Sequence, residues 1–339
     1  MGSVTAAVGF AAGVAAAALT GLVRSFALTR GVLDIPNRRS SHSRATPRGG
    51  GIAIVATTTL ALLVLGLCAS IPHELLWALA GGGIAVGAVG FADDHYSIPA
   101  APRLAVHFLA AAWAVYWLGD LESLRVGANI IYLGWAGTLL AMLGIVWFAN
   151  LFNFMDGIDG IAASEAIFIA AVGALLSPVG DGVAPAAWVF AASCCGFLLW
   201  NWAPAKIFMG DVGSGYLGYV VAVLGLRAAH DDSTAPWVWL ILGAVFLVDA
   251  TVTLLRRALR GERVYQAHRS HAYQWLARRW RSHRRVTLAV IGLNLLWLAP
   301  CAALARLHPS AAAWIAFLAL LPLVALIIVA GAGRREQPL

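Results

Sequence analysis

Long apolar runs alternate with short polar ones along the whole chain. A spanning helix needs about 20 mostly apolar residues to cross about 30 Å of hydrocarbon. By that rule eleven segments read as membrane spans, near 4–23, 50–69, 77–92, 103–118, 130–149, 161–177, 185–200, 213–228, 237–255, 286–305 and 312–332. The third, fourth and seventh are short. No repeat of fixed period appears, and the two halves do not echo each other's polar motifs. The expected architecture is therefore one all-α, polytopic membrane domain over residues 1–339.

Composition and charge sharpen this. Of 339 residues, 61% are hydrophobic and 12% charged, whereas soluble domains carry about 25% charged residues. With the N-terminus outside, the loops on the inner face hold Arg24, Arg30, Arg38, Arg39, Arg44, Arg48, Arg103, Lys206, ten arginines from Arg256 to Arg285, Arg334 and Arg335; the outer face keeps Arg125, Arg227 and Arg306. That split of twenty to three follows the positive-inside rule. The net charge of +7 thus reflects topology and an affinity for anionic headgroups and phosphates, not nucleic acid. Positive charge follows the first apolar segment instead of preceding it, so that segment reads as a span and not a cleaved signal. Cys68, Cys194, Cys195 and Cys301 fall inside spans without metal-ligand spacing and read as buried small hydrophobes.

The chemistry lies in five inner-face loops, 24–49, 92–103, 150–160, 201–213 and 256–285. Carboxylates at membrane-helix ends are costly unless a cation or substrate uses them, and four loops or span ends carry them. The first loop joins arginines, Arg48 among them, to the glycine run Gly49-Gly50-Gly51, whose successive N–H groups and following helix suggest an anion site. In the second, Asp93 and Asp94 lie side by side, with Arg103 one short loop later. Adjacent carboxylates repel unless a cation sits nearby, and Arg103 is placed to hold a phosphate. In the third, Asn153, Asp156 and Asp159 recur every three residues and gather on one side of a helix-like backbone. Such hard oxygen donors suit Mg²⁺ or Mn²⁺. The fourth adds Asn201, Phe208 and Asp211 ahead of Gly213-Ser214-Gly215. Phe208 can stack on a nucleobase, though a lone Phe more often packs in a membrane. In the fifth, His268-Arg269-Ser270-His271 lacks a third zinc ligand at the usual spacing. In so basic a loop its histidines suit contacts to phosphates or sugar hydroxyls.

The pieces DIPNRRSSHSRATPRGGG, FADDH, NLFNFMDGIDG, FMGDVGSGYLG and HRSHAYQ, spread in this order over residues 34–274, closely resemble the polyprenyl-phosphate N-acetylhexosamine-1-phosphate transferases (glycosyltransferase family 4). The resemblance implies eleven spans in a bacterial inner membrane and a cytoplasmic site. It implies Mg²⁺-dependent transfer of a sugar phosphate from a UDP-N-acetylhexosamine to undecaprenyl phosphate, with release of UMP. Residue by residue, Asp211 and Asn153 would ligate Mg²⁺, and Asp93 would face the acceptor phosphate with Asp94 beside it. Asn201, Phe208 and Asp159 would line a uridine pocket, with Asp156 nearby. Arg103 and Arg48 would contact phosphate, and His268, Arg269 and His271 would cover the sugar and diphosphate. Asp249 resembles a family position without an assignable role.

HRSHAYQ departs from the histidine-rich form of the muropeptide branch and looks like the O-antigen-initiating branch, which uses UDP-GlcNAc or 6-deoxy relatives. A muropeptide-type donor is the alternative within the family. A transporter or flippase is the alternative outside it, although its polar breaks would lie near mid-membrane and recur in related halves. Small-residue stretches such as Gly81-Gly82-Gly83 can pack helices within one chain or between two, which leaves a homodimer open.

Overall fold

The computed structural model describes residues 2–36, 45–178, 180–263 and 268–335. Arg38, Arg39 and Arg44 of the first loop lie outside the described residues. In hydrocarbon every backbone N–H and C=O must find a partner inside the protein, which favours helices, and the chain is accordingly helical almost throughout. In order come α1 (Gly2–Arg30), α2 (Gly51–Leu67), α3 (His73–Trp77), a π-helical turn over Ala78–Gly82, α4 (Gly83–Tyr96), α5 (Ala100–Leu118), α6 (Trp135–Met155), α7 (Ile161–Leu176), α8 (Val183–Asn201) and α9 (Asp211–Asp231). There follow α10 (Ala235–Leu242), α11 (Ala244–Ala258), α12 (Ala272–Trp280), α13 (His283–Leu293), a second π turn over Asn294–Leu298, α14 (Ala299–Leu307) and α15 (Ala312–Ala330).

Among the described residues seven helices are long and apolar enough to cross a membrane, or eight if a bent pair is one span, against the eleven expected. All eleven predicted segments fall on helices, but several are displaced. The first helix runs on through Arg24 to Arg30. The span expected at 130–149 is shifted, because Ser123–Val126 (β1) and Asn129–Tyr132 (β2) form an antiparallel hairpin and α6 begins only at Trp135. The hairpin went unpredicted since Ile130, Ile131 and Tyr132 read as apolar span residues. The segment 237–255 is broken at Gly243, where α10 and α11 meet at 74°.

The buried centre is α9, most of whose 21 residues are buried. Its glycines allow this. A methyl on Gly218 would overlap the Phe148 carbonyl of α6, and one on Gly51 would overlap the backbone of Gly213. Backbones can approach this closely only through small residues. The Gly81-Gly82-Gly83 stretch is likewise used within the chain, against Trp113, Tyr219 and Tyr216. Gly51→Ala is therefore expected to pry α2 from α9 and cost about 1–3 kcal/mol, read as a lower melting temperature in detergent; an unchanged melting temperature would contradict the packing.

Candidate active site

The C-terminal end of α6, the N-terminal end of α9 and the chain before α2 converge on one cavity of about 360 Å³. Its wall includes Arg48, Asp94, Asn153, Asp156, Asp159, Asn201, Phe208 and Asp211, with Asp34, Ser214 and Gln274, which the sequence offered only as parts of its loops and motifs, and His283, which it did not single out. Their signals were faint. Gln274 follows His271 by three residues, and His283 merely opens a span after an arginine-rich loop.

The Asp94 side chain is 3% exposed and is committed to α9. The N–H of Asp211 donates to its Oδ1 at 3.0 Å and that of Val212 to its Oδ2 at 3.2 Å. A carboxylate from a neighbouring helix thus caps the α9 N-terminus, where a negative charge also meets the positive end of the helix dipole. Gly210, at φ +78°, makes room, since a methyl there would overlap the Asp94 carboxylate. Arg48 closes the arrangement through the Asp94 carbonyl and a 3.6 Å approach to Oδ1.

Asp93 lies beside the cavity. It accepts the Ile98 N–H at 2.6 Å and is ion-paired to Arg103, whose Nη1 also reaches Asp211 Oδ2 at 3.3 Å. Arg103 therefore bridges Asp93 and Asp211. The Asp211 side chain is 37% exposed and opens into the cavity. Asn153 donates to Ser214 Oγ at 3.1 Å.

Asp156 stands just beyond α6. Burial raises its carboxyl well above the usual range, and the charges of Asp211, Asp94 and Asp159 add to the shift. Among the described residues no hydrogen bond or ion pair reaches its carboxylate, and no three His, Cys, Asp or Glu form a closed ion cage. A hard divalent cation fits this wall. Asp156, Asp211 and the Asn153 amide would be the oxygen donors of an open site, and Mg²⁺ keeps waters and shares substrate phosphates when protein ligands are few.

Other expected contacts are spent on scaffolding. The glycine run does not offer a free anion site: Gly50 N–H donates to Phe208 O and Gly51 N–H to Met209 O, both at 2.9 Å. Those amides join the first loop to the fourth, because two irregular segments packed together must satisfy each other's backbone. Asn201 is buried, with Oδ1 accepting from Gly160 N–H and Nδ2 donating to Ile207 O, each at 3.0 Å. Asp159 accepts the Ala205 N–H at 3.1 Å and sits 3.2 Å from His283 Nδ1. Phe208 is half-buried and lines the cavity.

His268, Arg269 and His271 do not line the cavity. His271 is buried at the start of α12, its ring 3.5 Å from Asp249 and stacked on those of Phe154 and Tyr273. His268 packs against it, and Arg269 offers its carbonyl to Arg278. The short amphipathic α12 was hidden inside a loop that charge alone made look unstructured.

Residues 76–229 match the profile of glycosyl transferase family 4. The chain is 30% identical over 321 residues to the decaprenyl-phosphate N-acetylglucosaminephosphotransferase of Mycolicibacterium smegmatis, covering 84% of this chain and 78% of that protein. It is 29% identical over 286 residues to a probable undecaprenyl-phosphate N-acetylglucosaminyl 1-phosphate transferase of Bacillus subtilis, covering 82% and 79%. A phospho-N-acetylmuramoyl-pentapeptide-transferase of Gluconobacter oxydans is 30% identical over 255 residues, covering 65% and 68%. With the acids of three helix ends facing one cavity, and with likeness of this extent, the chain belongs to glycosyl transferase family 4, the superfamily of polyprenyl-phosphate N-acetylhexosamine-1-phosphate transferases.

Proposed function

We propose that the protein transfers N-acetylhexosamine-1-phosphate from a UDP-sugar to undecaprenyl phosphate, with Mg²⁺ bound, at the cytoplasmic face of the inner membrane. The observation that carries this reading is the gathering of Asp94, Asn153, Asp156, Asp159 and Asp211 around one cavity with Arg48 on its wall and Arg103 beside it. The twenty-to-three cation split supports the cytoplasmic placement.

An acceptor phosphate oxygen attacks the sugar-bearing phosphorus, the bond to the bridging oxygen breaks, and that oxygen leaves on UMP. Positioning and charge neutralisation dominate such transfers. Asp211, Asn153 and Asp156 would hold Mg²⁺, which would supply positive charge to the phosphates. Arg103 and Arg48 draw the remaining phosphate charge to the Asp93–Asp211 side. Phe208 offers a stacking face for the uracil ring. Asn201 and Asp159 hold the loops around that face. A phosphate monoester is mostly a dianion at neutral pH, since its second pKa is about 6. Asp93, already engaged by Arg103 and the Ile98 N–H, then orients the acceptor more than it removes a proton.

The names of the relatives from B. subtilis and M. smegmatis favour an N-acetylglucosamine-type donor, and HRSHAYQ favours an O-antigen or related envelope glycan over a muropeptide product. The test is an assay in detergent with undecaprenyl phosphate, Mg²⁺ and a panel of UDP-N-acetylhexosamines, with the released nucleotide identified. Expected is UMP release that requires both lipid and metal and stops with a chelator. UDP release would overturn the reaction, and a stoichiometric burst of UMP without lipid would replace direct attack by a covalent intermediate.

A further inference from the structure

The segment His268–Gln274 was expected to fold over the substrates, yet its second half is tied into the protein. Asp249 of α11 is 2% exposed and accepts the N–H groups of Ala272 at 2.9 Å and Tyr273 at 3.1 Å. Thr253 Oγ1 donates to the same carboxylate at 3.1 Å. The α12 N-terminus is thus capped by an acid 23 residues earlier on a different helix. The arrangement repeats that of Asp94 on α9, where the capped helix carries Asp211.

What α12 presents is Tyr273. Its phenol donates to the Phe154 carbonyl at 3.0 Å. That carbonyl belongs to the last turn of α6, whose C=O groups lack intrahelical partners. A methyl on Gly157 would overlap the phenol oxygen and come within 3.1 Å of the ring carbon that bears it. The two contacts bracket Asp156 and follow Asn153 directly. The Tyr273 ring is 3% exposed and is absent from the cavity wall, so it acts on the loop and not on a ligand in the cavity.

We infer that Asp249 and Tyr273 form a positioning pair: Asp249 fixes the start of α12, and Tyr273 then holds the Asn153–Asp159 turn in the shape that aims its oxygen donors into the cavity. This rests on the proposed phosphosugar transfer. Residues that orient metal donors from behind typically change affinity or activity by about 10–100-fold when removed.

Tyr273→Phe keeps the ring and removes one hydroxyl. It is expected to lower kcat by about tenfold and raise the half-saturating Mg²⁺ concentration several-fold, with the KM for undecaprenyl phosphate little changed. The rise in melting temperature that Mg²⁺ confers on the purified protein, which needs no turnover, should shrink in parallel. Gly157→Ala should be impaired by overlap with the phenol, and Gly157→Ala/Tyr273→Phe should be more active than Gly157→Ala alone because the overlapping hydroxyl is gone. Residues in direct contact couple in this non-additive way. Asp249→Asn should show the Mg²⁺ defect in milder form, since it keeps one acceptor oxygen. Unchanged Mg²⁺ dependence and Mg²⁺ stabilisation in Tyr273→Phe, or a double variant equal to the product of the singles, would overturn the pair. Absence of turnover in the wild-type protein with every donor would instead overturn the transferase reading, and the Mg²⁺ melting shift would still report on the pair.

Discussion

Asp211→Asn is expected to lower transfer by at least about 10³-fold, a loss of about 4 kcal/mol of transition-state stabilisation, in a protein that still folds. The substitution removes charge without changing shape. The Asp211 carboxylate opens into the cavity, whereas its backbone N–H is the group that Asp94 captures. The amide variant leaves that cap in place and spares the α9 N-terminus. The side chain also pairs with Arg103, so its loss frees the guanidinium from one of its two acids. Measured together, lipid-dependent UMP release and the detergent melting temperature check this. Turnover within tenfold of wild type would remove Asp211 from the proposed metal site, and loss of activity with loss of fold would leave Asp211 with a structural role.

Asp94→Ala should fail differently. Both carboxylate oxygens accept N–H groups of α9, and the side chain is nearly inaccessible. Its removal deletes a cap, usually about 1 kcal/mol, and leaves buried amides unpaired at about 1–3 kcal/mol. A stability loss of about 2–3 kcal/mol is expected, seen as a lower melting temperature. Activity should fall by about 10²-fold or more, because Asp211 is the first residue of the released helix and small misplacements of reacting groups are that expensive. Asp94→Asn should lie between, since its amide can accept one of the two N–H groups. An Asp94→Ala protein with full stability and no activity would show that Asp94 meets substrate directly, and the capping role would fall.

Asp93 and Asp94 show where reading residues in order succeeds and stops. Asp93-Asp94 was legible as a pair of acids at a helix end, and Asn153, Asp156 and Asp159 as donors sharing one side. Their division of labour was not. Asp93 turns to Ile98 and Arg103, while Asp94 turns to a helix that begins 117 residues later. Asp249 was visible as an acid ending an apolar stretch, but its partners at Ala272 and Tyr273 exist only once α11 and α12 meet. The glycine run before α2 carried the signature of an anion site, and tertiary packing spent its N–H groups on Phe208 and Met209 instead.

By itself the sequence determined the helical segments, the membrane environment and the residue types of the site. Hydrocarbon imposes a minimum apolar length and forbids unpaired backbone, and both constraints are local. It also located the acids at span ends, because a charge inside the bilayer is costly wherever it occurs. Only the tertiary structure decided the late start of α6, the bend at Gly243 and the sorting of acids into those that face the cavity and those that cap helices. Each of these depends on which orphaned backbone group or which neighbouring helix lies within hydrogen-bond reach, and contacts between residues more than a hundred positions apart leave no periodicity in the chain.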